Sequence, residues 1–281
     1  MTVTPTLATL GTRVVVTLKG AKEVKSMFLA IDIGNTNVTM GVFEGEKIRY
    51  TWRLETDIHK MPDEYAASLM ALLQFRKIAM TDIKEVALCS TVAPLIPIFV
   101  ELLHDYFKIS PIVVGPGVKT SIRIRYENPK EVGADRIVNT VAGFKLYGGP
   151  TIVVDLGTAT TFDVISKEGD FIGGAIAPGP MTAAEALFSR TAALPRIQFV
   201  HPQKAIGTNT IGAMQSGIMF GYAGLVEGIV THIEKELGEK ATVVATGGFG
   251  AIFAAETDIF KVVNPDITLI GLKMIYEMNK A

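Results

Sequence analysis

Apolar and polar positions change period along this chain, and the changes divide it into two similar halves. From Met27 the runs FLAIDI, VTMGVF and KIRYTWRL read as strands joined by short turns. DEYAASLMALLQFRK then sets Tyr65, Leu69, Leu72 and the stem of Arg76 on one stripe, which predicts a helix. EVALCSTV predicts a buried strand, PLIPIFVELLHDYF a helix entered through proline, and SPIVVGP a further short strand. The same grammar then returns. TIVVDLG, TTFDVIS and DFIGGAIA predict three strands, followed by a helix near MTAAEALFSR and a long one from about Ile211 to Leu237. ATVVATGG predicts a buried strand, DIFKVV another, and DITLIGLKMIYEMN a closing helix. The expected lobes are residues 27–148 and 149–281. Residues 1–26, ahead of a second methionine at Met27, read as a flexible extension, with RVVVTL as a candidate extra strand.

The repeat reaches single residues. IDIGNTNV (31–38) aligns with VDLGTATT (154–161), pairing Asp32 with Asp155 and Gly34 with Gly157 at a constant offset of 123. A glycine at a hairpin tip lets backbone N–H groups approach a ligand closely. Asn35, Thr36 and Asn37 add small polar groups suited to phosphate oxygens, and such a nest of amides is a general anion site. A carboxylate at the strand end repels phosphate, but it can act through a divalent cation, because Mg²⁺ takes one or two carboxylates plus phosphates. Asp32 and Asp155, one from each lobe, would thus hold a metal–nucleotide between them. TGGFG (246–250) offers a third glycine-rich surface, through Gly247 and Gly248, suited to the nucleoside. Neither GxxxxGK[ST] nor a GxGxxG opening the first helix is present.

A third constellation, YENPKEVGADRIVN (126–139), lies between the halves. Asn128 suits an N-cap, Pro129 the first helical turn and Glu131 the capping-box position. Asp135 and Arg136 then fall early in a helix, with Gly133 as an interruption point. The helix dipole favours an ionised Asp135, able to orient a hydroxyl and take its proton. Arg136 offers a planar fork for carboxylate or phosphate. The plainer alternative is a surface ion pair after a helix cap.

Composition changes the picture mainly by exclusion. At 281 residues with a formal net charge of −1, there is no electrostatic case for nucleic acid or a membrane surface as partner. No apolar run reaches the length of a membrane span and the N-terminus lacks a secretory pattern, so a cytoplasmic setting is expected. The one cysteine, Cys89, reads as a buried, inert thiol. His59, His104, His201 and His232 lack metal-ligand spacing. Trp52 is expected to pack on the sheet.

DIGNTN, GADR, DLGTAT and TGG, in that order from Met27 onward, resemble the type III pantothenate kinases. DxGNTN together with YxNPxxVGADR is specific to that family. The resemblance implies an α/β fold of two similar lobes of mixed sheet flanked by helices. That fold is the ribonuclease H-like duplication of actin-like ATPases, sugar kinases and heat-shock chaperones, with nucleotide in the cleft. It implies ATP-dependent phosphorylation of the pantothenate 4′-hydroxyl, the first step of coenzyme A synthesis, in a homodimer. Carried over by position, Asp32, Ile33, Gly34, Asn35, Thr36, Asn37, Val38 and Thr39 form the first ATP loop, and Thr158 contacts ATP from the second. Tyr126, Gly133, Ala134, Asp135, Arg136 and Thr210 bind pantothenate, with Asp135 as proton acceptor. Asp155 holds a monovalent cation, K⁺ or NH₄⁺, by resemblance. The residue-level argument gives Asp155 to Mg²⁺, so the cation there stays open. The glycine-rich helix IGAMQSGIMFGYAGLVEGIV suits either a dimer contact or core packing. Rival functions are another small-molecule kinase or phosphatase of the superfamily, a non-catalytic regulator on the same fold, and a chaperone- or actin-like switch. The GADR segment disfavours the first, the intact Asp32, Asp135 and Asp155 the second, and chain length the third.

Overall fold

The computed structural model describes residues 26–280, so both readings of the segment before Ser26 lie outside the described residues. Strands β1 (Met27–Ile33), β2 (Asn37–Glu44) and β3 (Lys47–Glu55) form an antiparallel meander. Beyond helix α1 (Pro62–Phe75), β4 (Ile83–Ser90) lies parallel to β1. Helix α2 (Leu95–Leu102), extended by a π-helical turn over Leu103–Phe107, leads to β5 (Ile112–Val113). The first sheet has the order β3-β2-β1-β4-β5. Helix α3 (Ala134–Tyr147) then crosses to the second half.

There β6 (Thr151–Leu156), β7 (Ala159–Ile165) and β8 (Phe171–Pro178) repeat the meander. Helices α4 (Pro180–Arg190) and α5 (Thr210–Leu237) precede β9 (Thr242–Thr246), parallel to β6. Short α6 (Gly250–Ala254), β10 (Val262–Val263) and α7 (Ile267–Asn279) complete the chain. The second sheet, β10-β9-β6-β7-β8, has the order of the first. The repeat read from the motifs is therefore a repeat of topology.

Strand alternation sorts the layers. Leu29, Ile31 and Ile33 of β1 pack with Tyr65, Leu69 and Phe99 of α1 and α2. The intervening Phe28 and Ala30 face Val138 and Val141 of α3 and Leu269, Leu272 and Ile275 of α7. In the second sheet, Ile152, Val154 and Leu156 pack with Ile218, Tyr222 and Val226 of α5. Val153 and Ile165 meet Ala142 of α3. Helices α3 and α7 thus form a shared layer between the sheets, and each packs on the half opposite to its place in sequence. Their crossing is close: a Cβ at Gly271 would collide with the Val138 backbone. This layer is apolar on two faces, which brings the N-terminus of α3 to the cleft.

One local expectation changes. The stripe of α1 closes through Leu73, while Arg76 lies outside it with its guanidinium 4.8 Å from the Tyr50 ring centroid. Trp52 packs on the sheet as expected, stacked on that same Tyr50. No helix among the described residues is long and apolar enough to cross a membrane.

Candidate active site

The two hairpins at the ends of β1–β2 and β6–β7 are built alike. Gly34 N donates to Asn37 O and Gly157 N to Ala159 O, each at 3.0 Å. Asp32 is paired across its hairpin with Thr39, and Asp155 with Thr161. On the parallel side Asp32 is level with Cys89 of β4, and Asp155 with Thr246 of β9. The loops meet: the hydroxyls of Thr36 and Thr158 are 2.7 Å apart. Each is anchored from behind. Thr56 donates to Gly34 O, and Thr182 to Thr158 O, both at 2.7 Å.

Gly247 ends β9 beside the second loop with φ +82°, and a Cβ there would strike the Asp155 carboxylate. That left-handed conformation is available at little cost only to glycine. Phe249 N donates to Leu156 O at 3.1 Å, tying the TGGFG turn to the end of β6. Gly248 is exposed.

The acceptor segment splits in two. Pro129–Glu131 forms one 3-10 turn, capped by Asn128, whose amide also donates to Glu131 at 2.7 Å. Gly133 then serves as N-cap of α3, so the interruption point becomes the helix start. Tyr126 follows a stretch laid beside β8, in which Arg125 N donates to Phe171 O and Phe171 N to Arg123 O, each at 2.8 Å. Its ring lies 6.0 Å from that of Phe171.

The surface ion pair does not hold. Arg136 is only 7% exposed, and its Nε donates to Asp163 Oδ1 at 2.5 Å; Asp163 is fully buried. Asp135 also departs from expectation. Backbone N–H groups at the helix start and Arg136 do lower its carboxyl, as a dipole argument anticipates. Burial outweighs them and the net shift is upward.

Burial likewise raises Asp32 to about 7, with Asp135 and Asp155 adding repulsion and the Cys89 thiol opposing it. Asp155 rises to about 6 through burial and Asp135, opposed by the Asn139 side chain. Asp163 rises to about 7 because burial exceeds the pull of Arg136. The four carboxylates form one electrostatic group around the head of α3. No three acidic, histidine or cysteine side chains among the described residues are arranged to hold a metal by themselves.

Three contributors escaped sequence reasoning. Cys89 Sγ donates to Asp32 Oδ1 at 3.3 Å, so the thiol is buried but adjoins the site. Asn139 bonds Asp155 and accepts from Thr268 of α7 at 2.8 Å. Asp163 interrupts the apolar strand TTFDVIS as Asp32 interrupts AIDIG, and that was the available signal. Thr210 stands elsewhere. It opens α5, capped by Asn209, and borders a hollow of about 690 Å³ with Leu187, Leu194, Gly207 and Met214.

Two phosphate-type loops in contact, a glycine turn beside them and a half-buried aspartate at a helix start form the arrangement of a phosphotransferase cleft. The sequence profile described as type III pantothenate kinase matches residues 28–232. The chain belongs to that family. A relative named type III pantothenate kinase from Dehalococcoides mccartyi (strain CBDB1) is 53% identical over 252 residues, 90% of this chain and 96% of the relative. One of the same name from Bacillus cytotoxicus is 49% identical over 253 residues, 90% and 97% of the two chains. Among solved structures, a Baf family transcriptional activator from Campylobacter jejuni superposes with a TM-score of 0.56 at 20% identity, covering 89% of this chain and 98% of that one. The Acidaminococcus fermentans (R)-2-hydroxyglutaryl-CoA dehydratase component A gives 0.52 at 12% identity, over 89% and 96%. These two likenesses concern the fold alone.

The raised carboxylates set a pH dependence. Between the ordinary value of 3.8 and about 7, the folded, ligand-free protein keeps protons that the unfolded chain has released. Stability is therefore greatest at acidic pH and falls as pH rises through 6 and 7. Thermal unfolding without ligand is expected at a midpoint roughly 5 °C higher at pH 5 than at pH 8. Asp32→Asn should flatten the slope, and a wild-type midpoint that rises with pH contradicts this assignment.

Proposed function

We propose that Asp135 accepts the proton of the pantothenate 4′-hydroxyl as the γ-phosphoryl group of ATP is transferred in line. Family membership makes the reaction the ATP-dependent phosphorylation of pantothenate that opens coenzyme A biosynthesis. One observation carries the assignment of Asp135. Its Oδ1 is buried without a partner, and its charge is felt by Asp32 and Asp155 at the ends of both loops. A carboxylate raised by burial is a better base than an exposed one, while its helix-start N–H bonds keep it oriented.

Residues Asp32–Thr39 and Thr158 then cradle the phosphates through backbone N–H groups and hydroxyls. The Thr36–Thr158 contact holds the two loops together across the cleft. Gly248, where a Cβ would meet nothing within 4 Å, leaves room for the nucleoside, and Gly247 sets the turn beside it. Tyr126, Gly133, Ala134 and Arg136 hold the acceptor.

The carboxylates fit cations, because burial and mutual repulsion drive Asp32 and Asp155 toward protonation and a bound positive charge relieves both. Asp32 would hold Mg²⁺, which completes its shell with phosphates and water. Asp155, steadied by Asn139, would hold K⁺ or NH₄⁺. Bound cations supply neutralisation of the charge on the phosphoryl oxygens. Such substrates suit a cytoplasmic setting.

For the dimer, α5 is the element of choice. Met214, Ile218, Met219, Tyr222, Val226 and Val230 form its buried side. Gly217, Gly221, Gly224 and Gly228 are exposed along another, where a Cβ would meet nothing within 4 Å. A glycine face allows close helix approach, and Thr210 opens the same helix. Gly221→Trp is expected to shift the mass in solution from dimer to monomer, read by light scattering; an unchanged dimer mass places the interface elsewhere.

The activity is tested by coupling ADP release to a chromogenic assay, with and without pantothenate and with K⁺ or NH₄⁺ present or omitted. Absence of pantothenate-dependent turnover under every cation condition rejects the reading.

A further inference from the structure

Asp163 has no part in the reaction as described. It is fully buried on β7 between Phe162 and Val164, and it makes only one of the two bonds a carboxylate can make with the Nε edge of a guanidinium. Arg136 is held on two further sides. Its guanidinium lies over the Phe171 ring, 5.3 Å from the centroid, and the Tyr126 phenol is within hydrogen-bonding reach. What remains is Arg136 Nη2, buried and without a partner. Asp163 Oδ2 is in the same state. Buried polar groups are nearly always satisfied, so a buried charged donor with no partner in the protein suits an acceptor from outside the chain. This donor belongs to the residue beside the proposed base.

Pantothenate carries one anionic group, a carboxylate, at the end remote from the hydroxyl that is phosphorylated. We infer that Asp163 is a positioning residue that locks Arg136 through Nε and so presents Nη2 to the acceptor's carboxylate. The inference rests on the functional reading above. Locking matters because a free arginine loses rotamer freedom on binding, whereas one already fixed by a carboxylate, a ring and a phenol does not. The pair thereby makes the enzyme selective for an acid at the far end of its acceptor. Sites built around a charged hydrogen bond reject analogues lacking the partner strongly, because the buried donor is then left unpaired.

The test compares pantothenate with pantothenol, which has a primary alcohol in place of the carboxylate and the same hydroxyl to phosphorylate. The quantity read is the ratio of the two kcat/KM values. In the wild type a ratio of about 100 or more is expected. Asp163→Ala and Asp163→Ser, both too short to reach Nε, should lower that ratio at least tenfold by raising the pantothenate KM, with the ATP KM within about twofold. Asp163→Asn, which still offers an oxygen to Nε, should keep the ratio within about threefold of wild type. A purely structural role would depress both acceptors equally and leave the ratio unchanged, which overturns the inference. A wild-type ratio below about three overturns it alone, whether or not the variants fold. Neither outcome disturbs the kinase reading, which fails only if pantothenate itself is not turned over.

Discussion

Asp135→Asn is expected to lower pantothenate-dependent turnover by roughly three orders of magnitude, with ATP affinity kept within about threefold. The substitution is isosteric, so it opens no cavity and leaves the α3 start intact. What it removes is the only role in which the amide fails, acceptance of a proton as the acceptor oxygen attacks. A positioned base contributes typically 10²–10⁴ in rate. Stability should not suffer. Burial already disfavours the Asp135 carboxylate, and its charge raises Asp32, Asp155 and Asp163. The thermal midpoint of the variant at pH 8 should therefore equal or exceed that of the wild type. Single-turnover measurements separate chemistry from product release, and calorimetry with a non-hydrolysable ATP analogue reads nucleotide affinity. Turnover within about fivefold of wild type would remove Asp135 from the role of base.

How much of this was legible beforehand differs from one part of the site to the next. Asp32 and Asp155 were readable because each breaks an apolar strand at the same place in a repeated string. The Thr36–Thr158 contact then follows from two hairpins facing each other. The central layer was not readable. Sequence order assigns α3 to the first half and α7 to the second, but Val138, Val141 and Ala142 show α3 apolar toward both sheets, and pattern alone cannot say which sheet an element with two apolar faces will choose. Cys89 and Thr246 became visible as partners of the two aspartates only once the parallel registers were known. Asp135 shows the same limit in electrostatics. The sequence pattern places the helix start at Asn128, one turn before the actual start after Gly133, and desolvation depends on the chain that covers the carboxylate.

The second large effect is on stability. Arg136→Met leaves the Asp163 carboxylate fully buried with its counter-charge gone, and breaking a buried pair from one side costs about 3–5 kcal/mol. The aspartate has one escape, which is to keep its proton. It already titrates at about 7 beside the arginine because burial dominates, and losing Arg136 moves it higher. Holding a proton at neutral pH that the unfolded chain would release is itself the cost. The wild-type carboxylate also keeps its proton up to about 7, so the extra cost in the variant grows only above that value. Denaturant titrations of Arg136→Met should thus show a deficit of about 3–5 kcal/mol that widens as pH rises above 7, where the wild-type carboxylate has released its proton and the variant's has not. A deficit independent of pH would mean that lost packing on Phe171, and not the stranded charge, is responsible. The double substitution Arg136→Met/Asp163→Leu separates the two accounts further. Two apolar side chains of similar bulk can replace a buried ion pair at little cost, so most of the stability should return. Discrimination between pantothenate and pantothenol should not return with it, because the donor is absent however well the site is packed. Stability recovered without selectivity is the result that assigns the pair to recognition of the acceptor.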